Sequence, residues 1–260
     1  MSDWNPTKYA QFSDLRLRPA MDLLAAVGAL PAQGDIVDLG CGAGGIGPLL
    51  ADRAGGRALI GVETSQAMRA KAEEAGVYTE LHDGDISTYE VGRGAALIYS
   101  NAALNWVPDH AVLLPRLAEA LTRSGWLAFQ VPYQHDAPSH ALARTVAHRL
   151  APDAFATANA DPHVLTPRSY DDLLTPYGHV RVWMTDYMQH LPAVAHGHPV
   201  RHFTQSTYLR PYVDYFEERG GGADDYLAAY DTALGAAYPL DGRGRAWFPF
   251  KRLFVTLCKA

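Results

Sequence analysis

The run Asp35-Ile36-Val37-Asp38-Leu39-Gly40-Cys41-Gly42-Ala43-Gly44-Gly45 decides how this chain is read. Its first half is short, apolar and β-branched, as a buried strand is. Its second half is a glycine loop, after which Pro48-Leu49-Leu50-Ala51 reads as helix. Glycine lets a backbone turn tightly and approach a ligand with no Cβ in the way. Gly40, Gly42 and Gly45 satisfy G-x-G-x-x-G, a nucleotide-binding pattern when it joins a strand to a helix. Taken alone, the pattern suits a nicotinamide cofactor or a plain strand–helix turn as well.

Working outward, Arg57–Glu63, Val77–Leu81, Ala95–Ser100 and Gly125–Val131 read as further strands. Between them lie helical patterns. One follows Ser65, a candidate cap, with Met68 and Ala72 four apart on one face; another follows Asp109, a second candidate cap, and carries Val112, Leu113, Leu117 and Leu121. Strands alternating with helices at this spacing predict an α/β fold, a parallel sheet with helices on both faces. After Pro132 the rhythm breaks. Prolines 138, 152, 162 and 167 punctuate one irregular region, and a second, about Leu191 to Phe248, is rich in Tyr, His and Gly. Val180–Tyr187 and Arg252–Leu257 read as the last two strands. The expected organisation is one catalytic domain, residues 1–260. Its sheet core covers about 30–132, 177–190 and 248–260, and a helical cap covers about 1–29, 133–176 and 191–247.

Composition bounds the function. The 260 residues are 48% hydrophobic and 19% charged, with a net charge of −6. This is a folded globule with no run of Lys and Arg to attract a nucleic-acid backbone. No apolar run approaches the roughly 18 residues of a membrane span. Met1–Pro6 lacks the basic and then apolar regions of a secretory signal. Two cysteines, Cys41 and Cys258, make no disulfide framework and suit a reducing cytoplasm. A small-molecule substrate is expected, with no nucleic-acid or membrane partner.

Three carboxylates refine the glycine loop. Asp38 stands two residues before Gly40, where it can meet a cationic amino group directly or through water. Glu63 ends the second strand, where a carboxylate can accept both ribose hydroxyls. Asp85, after the third strand, can accept the exocyclic amino group of an adenine. Glu63 alone reads also as a solvated strand end and Asp85 alone as a turn or capping residue; together with Asp38 on successive strand ends they describe a cationic amino acid joined to an adenosine, S-adenosylmethionine (SAM). The candidate cofactor set is Asp38, Gly40, Cys41, Gly42, Gly44, Glu63, Thr64, Met68, Asp85, Ile86, Asn101 and Ala102. A nicotinamide enzyme would need a second mononucleotide half or a Lys, Tyr or His array for the hydride's proton, and none stands out. The element order resembles the class I SAM-dependent methyltransferases, with a Rossmann-like sheet of seven strands, the last antiparallel.

Further residues narrow the resemblance. Ser2–Pro6 with Tyr9 and Phe12, Arg18-Pro19, Asn101-Ala102 with Trp106, Pro108, Asp109 and His110, and Gln130-Val131-Pro132 are similar to the bacterial trans-aconitate 2-methyltransferase family. So are His140, Trp183, Tyr187, Pro192, Leu209-Arg210-Pro211, Tyr230, Tyr238-Pro239-Leu240 and Arg252-Leu253-Phe254, so the resemblance runs the whole chain. It departs in the loop, where the family usually continues Gly-Pro-Gly-Asn-Ser. It departs again after Pro132, where Tyr133-Gln134 replaces Asp-Asn, and at Lys251, which stands where proline is usual.

The resemblance implies methyl-ester formation on one carboxylate of a tricarboxylic acid. Such a carboxylate is already ionised at pH 7, so no catalytic base is expected. The other carboxylates need clamps, and arginine's planar fork fits best. Arg210 and Arg252 are the candidates, each with a structural ion pair as the bland alternative. Tyr9, Phe12 and Trp106 can wall the site or pack in the core; His140 can donate to a carboxylate or merely cap a helix; Tyr133, with Gln134, can reshape the pocket or lie on the surface. A phenol or amine substrate would instead make His140 or His110 a base, and a SAM-binding module without catalysis fits the same loop. His190, His196, His198 and His202 are an addition to the family's pattern; His196, His198 and His202 could present nitrogen ligands, yet no Cys, Asp or Glu lies close by in sequence to complete a zinc set, and no metal is expected.

Overall fold

The computed structural model of the chain describes residues 13–156, 163–205, 207–219 and 222–260. In order, these form α1 (Ser13–Ala25), β1 (Ile36–Leu39), α2 (Gly47–Ala54), β2 (Leu59–Glu63), α3 (Gln66–Ala75), β3 (Glu80–Asp83) and β4 (Ala95–Asn101). Then come a 3-10 turn (Leu104–Trp106), α4 (His110–Ala120), β5 (Leu121–Pro132), α5 (Pro138–Leu150), α6 (Pro167–Leu174) and β6 (Gly178–Leu191). The chain ends in α7 (Pro199–Gln205), α8 (Arg210–Glu218), α9 (Ala223–Ala237) and β7 (Ala246–Lys259).

The seven strands form one sheet in the order β3-β2-β1-β4-β5-β7-β6. β1 pairs parallel with β2 and with β4, and β5 parallel with β4; β7 is antiparallel to β5, with Phe129 opposite Val255. The strand order reverses between β1 and β4, and a crevice outside the carboxyl ends of strands at such a switch point is where open α/β sheets take ligands. Burial follows position in the sheet. All four residues of β1 are buried, as are Ala95 to Ser100 of β4, because central strands are covered on both faces. β7 alternates from Ala246 to Phe250 and then runs buried from Arg252 to Leu257. β6, the edge strand, is mostly half exposed.

Two local expectations change. The third strand begins at Glu80 rather than Val77, which leaves Tyr78 in the turn before it. Asp109 precedes α4 in a left-handed conformation (φ 55°) without a side-chain capping bond. Ser65 does cap α3, accepting from the Met68 N–H at 3.3 Å.

The chain divides into two compact units. Among the described residues, the first holds 13–132, 163–185 and 252–260; the second holds 133–156, 186–205, 207–219 and 222–251. α1 and α6 group with the sheet in the first unit. The physical reason lies in their contacts: Leu23 of α1 is fully buried, the Tyr99 hydroxyl of β4 donates to the Ala20 carbonyl, and Tyr170 of α6 packs edge-on against Phe129 of β5. The second unit has its own core, in which Val146 and Ala147 of α5 cluster with Phe216 of α8 and Tyr226 of α9.

Candidate active site

The glycine loop is shaped by backbone constraints. Gly40, Gly42 and Gly44 all adopt positive φ (74°, 56° and 77°), a region that costs other residues roughly 1–2 kcal/mol. A Cβ on Gly40 would stand 2.2 Å from that of Ala103, whereas one on Gly42 would meet nothing within 4 Å. Gly40 is therefore needed for packing, while the space beside Gly42 is open to a ligand. The Gly40 and Cys41 N–H groups both donate to the Val62 carbonyl, at 2.8 and 3.1 Å, which ties the loop to β2.

Asp38, in the middle of the sheet, is only 1% exposed. Its Oδ2 accepts from the Tyr78 hydroxyl at 2.7 Å. Burial pushes its carboxyl from an ordinary 3.8 up to about 7, the Tyr78 hydrogen bond opposes that rise, and Glu63 adds to it. Burial, followed by the charge of Asp38, likewise drives the Tyr78 hydroxyl and the Cys41 thiol well above their usual ranges, so Tyr78 stays a neutral donor.

Glu63, at the end of β2, grips the backbone on both sides. Its Oε2 accepts from the Gly42 N–H at 3.0 Å and its Oε1 from the Ser65 N–H at 2.9 Å. A carboxylate offers about four lone-pair sites, so two remain for a diol. Arg69 of α3 braces the same corner, donating to the Glu63 and Thr64 carbonyls at 2.7 and 2.9 Å. Met68 is buried beneath it and Thr64 is exposed. Past β3, the exposed Asp85 accepts the N–H and hydroxyl of Ser87 on Oδ1, which lowers its carboxyl and leaves Oδ2 for another donor. Ile86 beside it is buried. Cys41, Gly44 and these carboxylates thus share the carboxyl ends of β1, β2 and β3.

At the end of β4, Ala102 takes a left-handed conformation (φ 55°), held by its N–H donating to the Gln130 carbonyl at 2.9 Å. Beyond it Trp106 is 53% exposed, which removes the core-packing alternative. Arg252 of β7 is 4% exposed, and its Nη1 donates to Gln130 Oε1 at 3.3 Å; Gln130 Nε2 in turn donates to Asn101 Oδ1. Gln130 and Tyr78 thus bond to candidate residues without being among the sequence candidates themselves. Gln130 carried a signal, as a polar residue inside an otherwise apolar strand; Tyr78 carried none.

The remaining candidates fall in the second unit or outside description. Tyr9 and Phe12 lie outside the described residues. Arg210 opens α8, with Nε 3.8 Å from Asp214 Oδ2 one turn later. The Tyr133 N–H donates to the Lys251 carbonyl, and Gln134, expected to be possible surface, is buried with its amide donating to the Pro249 carbonyl. His140 stacks on Tyr208 with ring centroids 3.7 Å apart, and its Nδ1 lies 3.0 Å from Ser139 Oγ. Burial, followed by the charges of Arg144 and His135, pushes its imidazole down to about 3.

The other histidines have internal roles. His110, in the first unit, is fully engaged: Nδ1 lies 2.7 Å from the Tyr170 hydroxyl and Nε2 2.9 Å from the Leu104 carbonyl. His198 lies 2.9 Å from the Tyr238 carbonyl, His202 2.7 Å from that of His196, and His190 stacks on Trp247. Among the described residues no group of three His, Cys, Asp or Glu side chains is placed to hold a metal.

A Rossmann-like sheet of this order, with a glycine loop and acidic groups at successive strand ends, defines a class I SAM-dependent methyltransferase. Residues 9–210 match the family described as a methyltransferase domain. The chain is 40% identical over 267 residues to the trans-aconitate 2-methyltransferase of Variovorax paradoxus, covering 100% of this chain and 99% of that one. It is 37% identical to that of Methylobacterium nodulans, with 98% of each covered. The chain belongs to the trans-aconitate 2-methyltransferase family. Among solved structures, a Haemonchus contortus phosphoethanolamine N-methyltransferase in complex with SAM superposes with a TM-score of 0.52 at 13% identity, over 94% of this chain and 53% of that one. Bacillus subtilis YcgJ gives 0.50 at 15%, over 92% and 97%. At such identities the likeness shows the fold alone.

Proposed function

We propose that this enzyme transfers the SAM methyl group to a carboxylate of trans-aconitate or a closely related small polycarboxylate. The full-length identity to trans-aconitate 2-methyltransferases carries this reading. Bound SAM supplies an electrophilic methyl group on a sulfonium. Asp38 would meet the amino group of the cofactor, Glu63 its ribose diol through the lone pairs left by Gly42 and Ser65, and Asp85 Oδ2 its adenine amine. Gly40, Cys41, Gly42, Gly44, Thr64, Met68, Ile86 and Ala102 would form the surrounding wall. Arg252 and Arg210 are the proposed partners for substrate carboxylates, with Tyr9, Phe12, Trp106, Tyr133 and His140 as further lining.

The chain's contribution to rate is then alignment of an oxygen behind the methyl group, which in favourable cases supplies roughly 7–11 kcal/mol. A carboxylate nucleophile carries no proton at pH 7, so no side chain has to remove one. Both nitrogens of His110 are already engaged, in keeping with this and against a phenol or amine substrate that would call on it as a base. Among the described residues no helix is long and apolar enough to cross a membrane. We place the enzyme in the cytoplasm, where the thiols of Cys41 and Cys258 stay reduced.

The test is S-adenosylhomocysteine release with trans-aconitate, cis-aconitate, isocitrate and citrate offered separately. Turnover with trans-aconitate, a methyl ester in the mass spectrum, and a kcat flat from pH 6 to 9 at saturating SAM are expected. SAM binding without release from any acid would favour a binding module and defeat the reading.

A further inference from the structure

Arg252, Gln130 and Asn101 lie on three adjacent strands, β7, β5 and β4, and their hydrogen bonds have a fixed direction. A guanidinium has donors and no acceptor, so the Gln130 atom bonded to Arg252 must be the carbonyl oxygen. The other end of that amide is therefore the NH2 group, and the Asn101 atom bonded to it must be the carbonyl oxygen. Asn101 is left with its own NH2 as the free end of the relay. From this chain of constraints we infer that Asn101, grouped above with the cofactor candidates, is instead a specificity-determining residue that presents N–H donors to the substrate, and that Gln130 is the positioning residue that sets this polarity.

The inference rests on the carboxylate reading above and deepens it. A donor-only group at the carboxyl end of β4 complements a carboxylate or carbonyl oxygen. That NH2 end cannot accept from the N–H of an amine or the O–H of a phenol. Leaving a buried polar group of the wrong substrate unpaired is the strong form of discrimination between near-isosteric ligands. Ala102, strained into the left-handed region immediately after Asn101 and tied to the Gln130 backbone, holds the residue at that place. Asn101 and Gln130 also lie directly opposite one another in the sheet, so the relay is built on strands and not on a loop.

The test inverts the relay. In Gln130→Glu the side chain still accepts from Arg252, now as an ion pair, so the fold is retained. Its second oxygen can only accept, which turns Asn101 to donate inward and present its own oxygen outward. The expected result is a melting temperature equal to or above wild type, SAM affinity within threefold, and KM for trans-aconitate raised at least 30-fold. Gln130→Met, which cuts the relay without inverting it, should raise KM by a smaller factor. An unchanged KM in Gln130→Glu, with wild type active, would overturn the polarity relay alone. SAM affinity falling in step with acid affinity would overturn the assignment of Asn101 to the substrate. If the wild-type enzyme turned over no carboxylic acid, the carboxylate reading would fall first and this inference with it.

Discussion

Asp38 concentrates the electrostatics of the site. Its carboxyl is buried among Tyr78, Glu63, Cys41 and Tyr99, and among the described residues the Tyr78 hydroxyl favours its charged form. The consequences follow with opposite signs for binding and for stability. A cationic ligand needs the ionised form, so the Kd for SAM should rise about tenfold for each pH unit below about 7 and level off above it. Because the folded-state value is raised above the ordinary 3.8, the free protein loses stability as pH climbs from 3.8 to about 7. Asp38→Asn removes both effects. Calorimetric titration from pH 5.5 to 8.5 should show weaker SAM binding, by about 1.5–3 kcal/mol at pH 8, with the pH dependence gone. The same variant should melt higher than wild type at pH 8. A pH-independent wild-type Kd would refute the assignment of Asp38 to the cofactor's amino group.

At the scale of elements, the loop between β1 and α2 separates two uses of glycine that look alike in sequence. Gly40 faces Ala103 and cannot carry a side chain, whereas Gly42 faces open space. Gly40→Ala should therefore cost the left-handed penalty plus a steric shift, together above about 2 kcal/mol, and lower the melting temperature by roughly 4 °C or more. Gly42→Ala carries the conformational penalty alone, about 1–2 kcal/mol, yet should weaken SAM binding more than its effect on stability implies. Thermal melting with and without SAM distinguishes the two variants. Equal losses of affinity per degree of destabilisation would show that the space beside Gly42 is not used by the cofactor.

At the scale of the molecule, the proposed cofactor residues, 38–102, all lie in the unit that contains the sheet. SAM at 100 times its Kd should add about 2.7 kcal/mol to the stability of whatever folds with that unit, a rise of roughly 5 °C or more. Calorimetric scanning is the measurement. If the chain melts in two transitions, only the one belonging to the sheet unit should move. A shift confined to the other transition would remove the cofactor site from the glycine loop.

Much of this was legible in the residues themselves. The strand–glycine–helix run, the spacing of Asp38, Glu63 and Asp85, and the helix after Ser65 are local features, set by steric freedom, hydrophobic period and capping, and they needed no tertiary information. Only the tertiary structure decided which partners these groups meet. Tyr78 reaches Asp38 across forty residues, Arg252 reaches Gln130 across 122, and His110 closes on Tyr170 across sixty. It also decided that α6 belongs with the sheet and that Gln134 is buried. Local propensity acts over a turn or a strand, whereas hydrogen-bond direction and burial depend on neighbours brought together by folding, and no spacing in the chain encodes them.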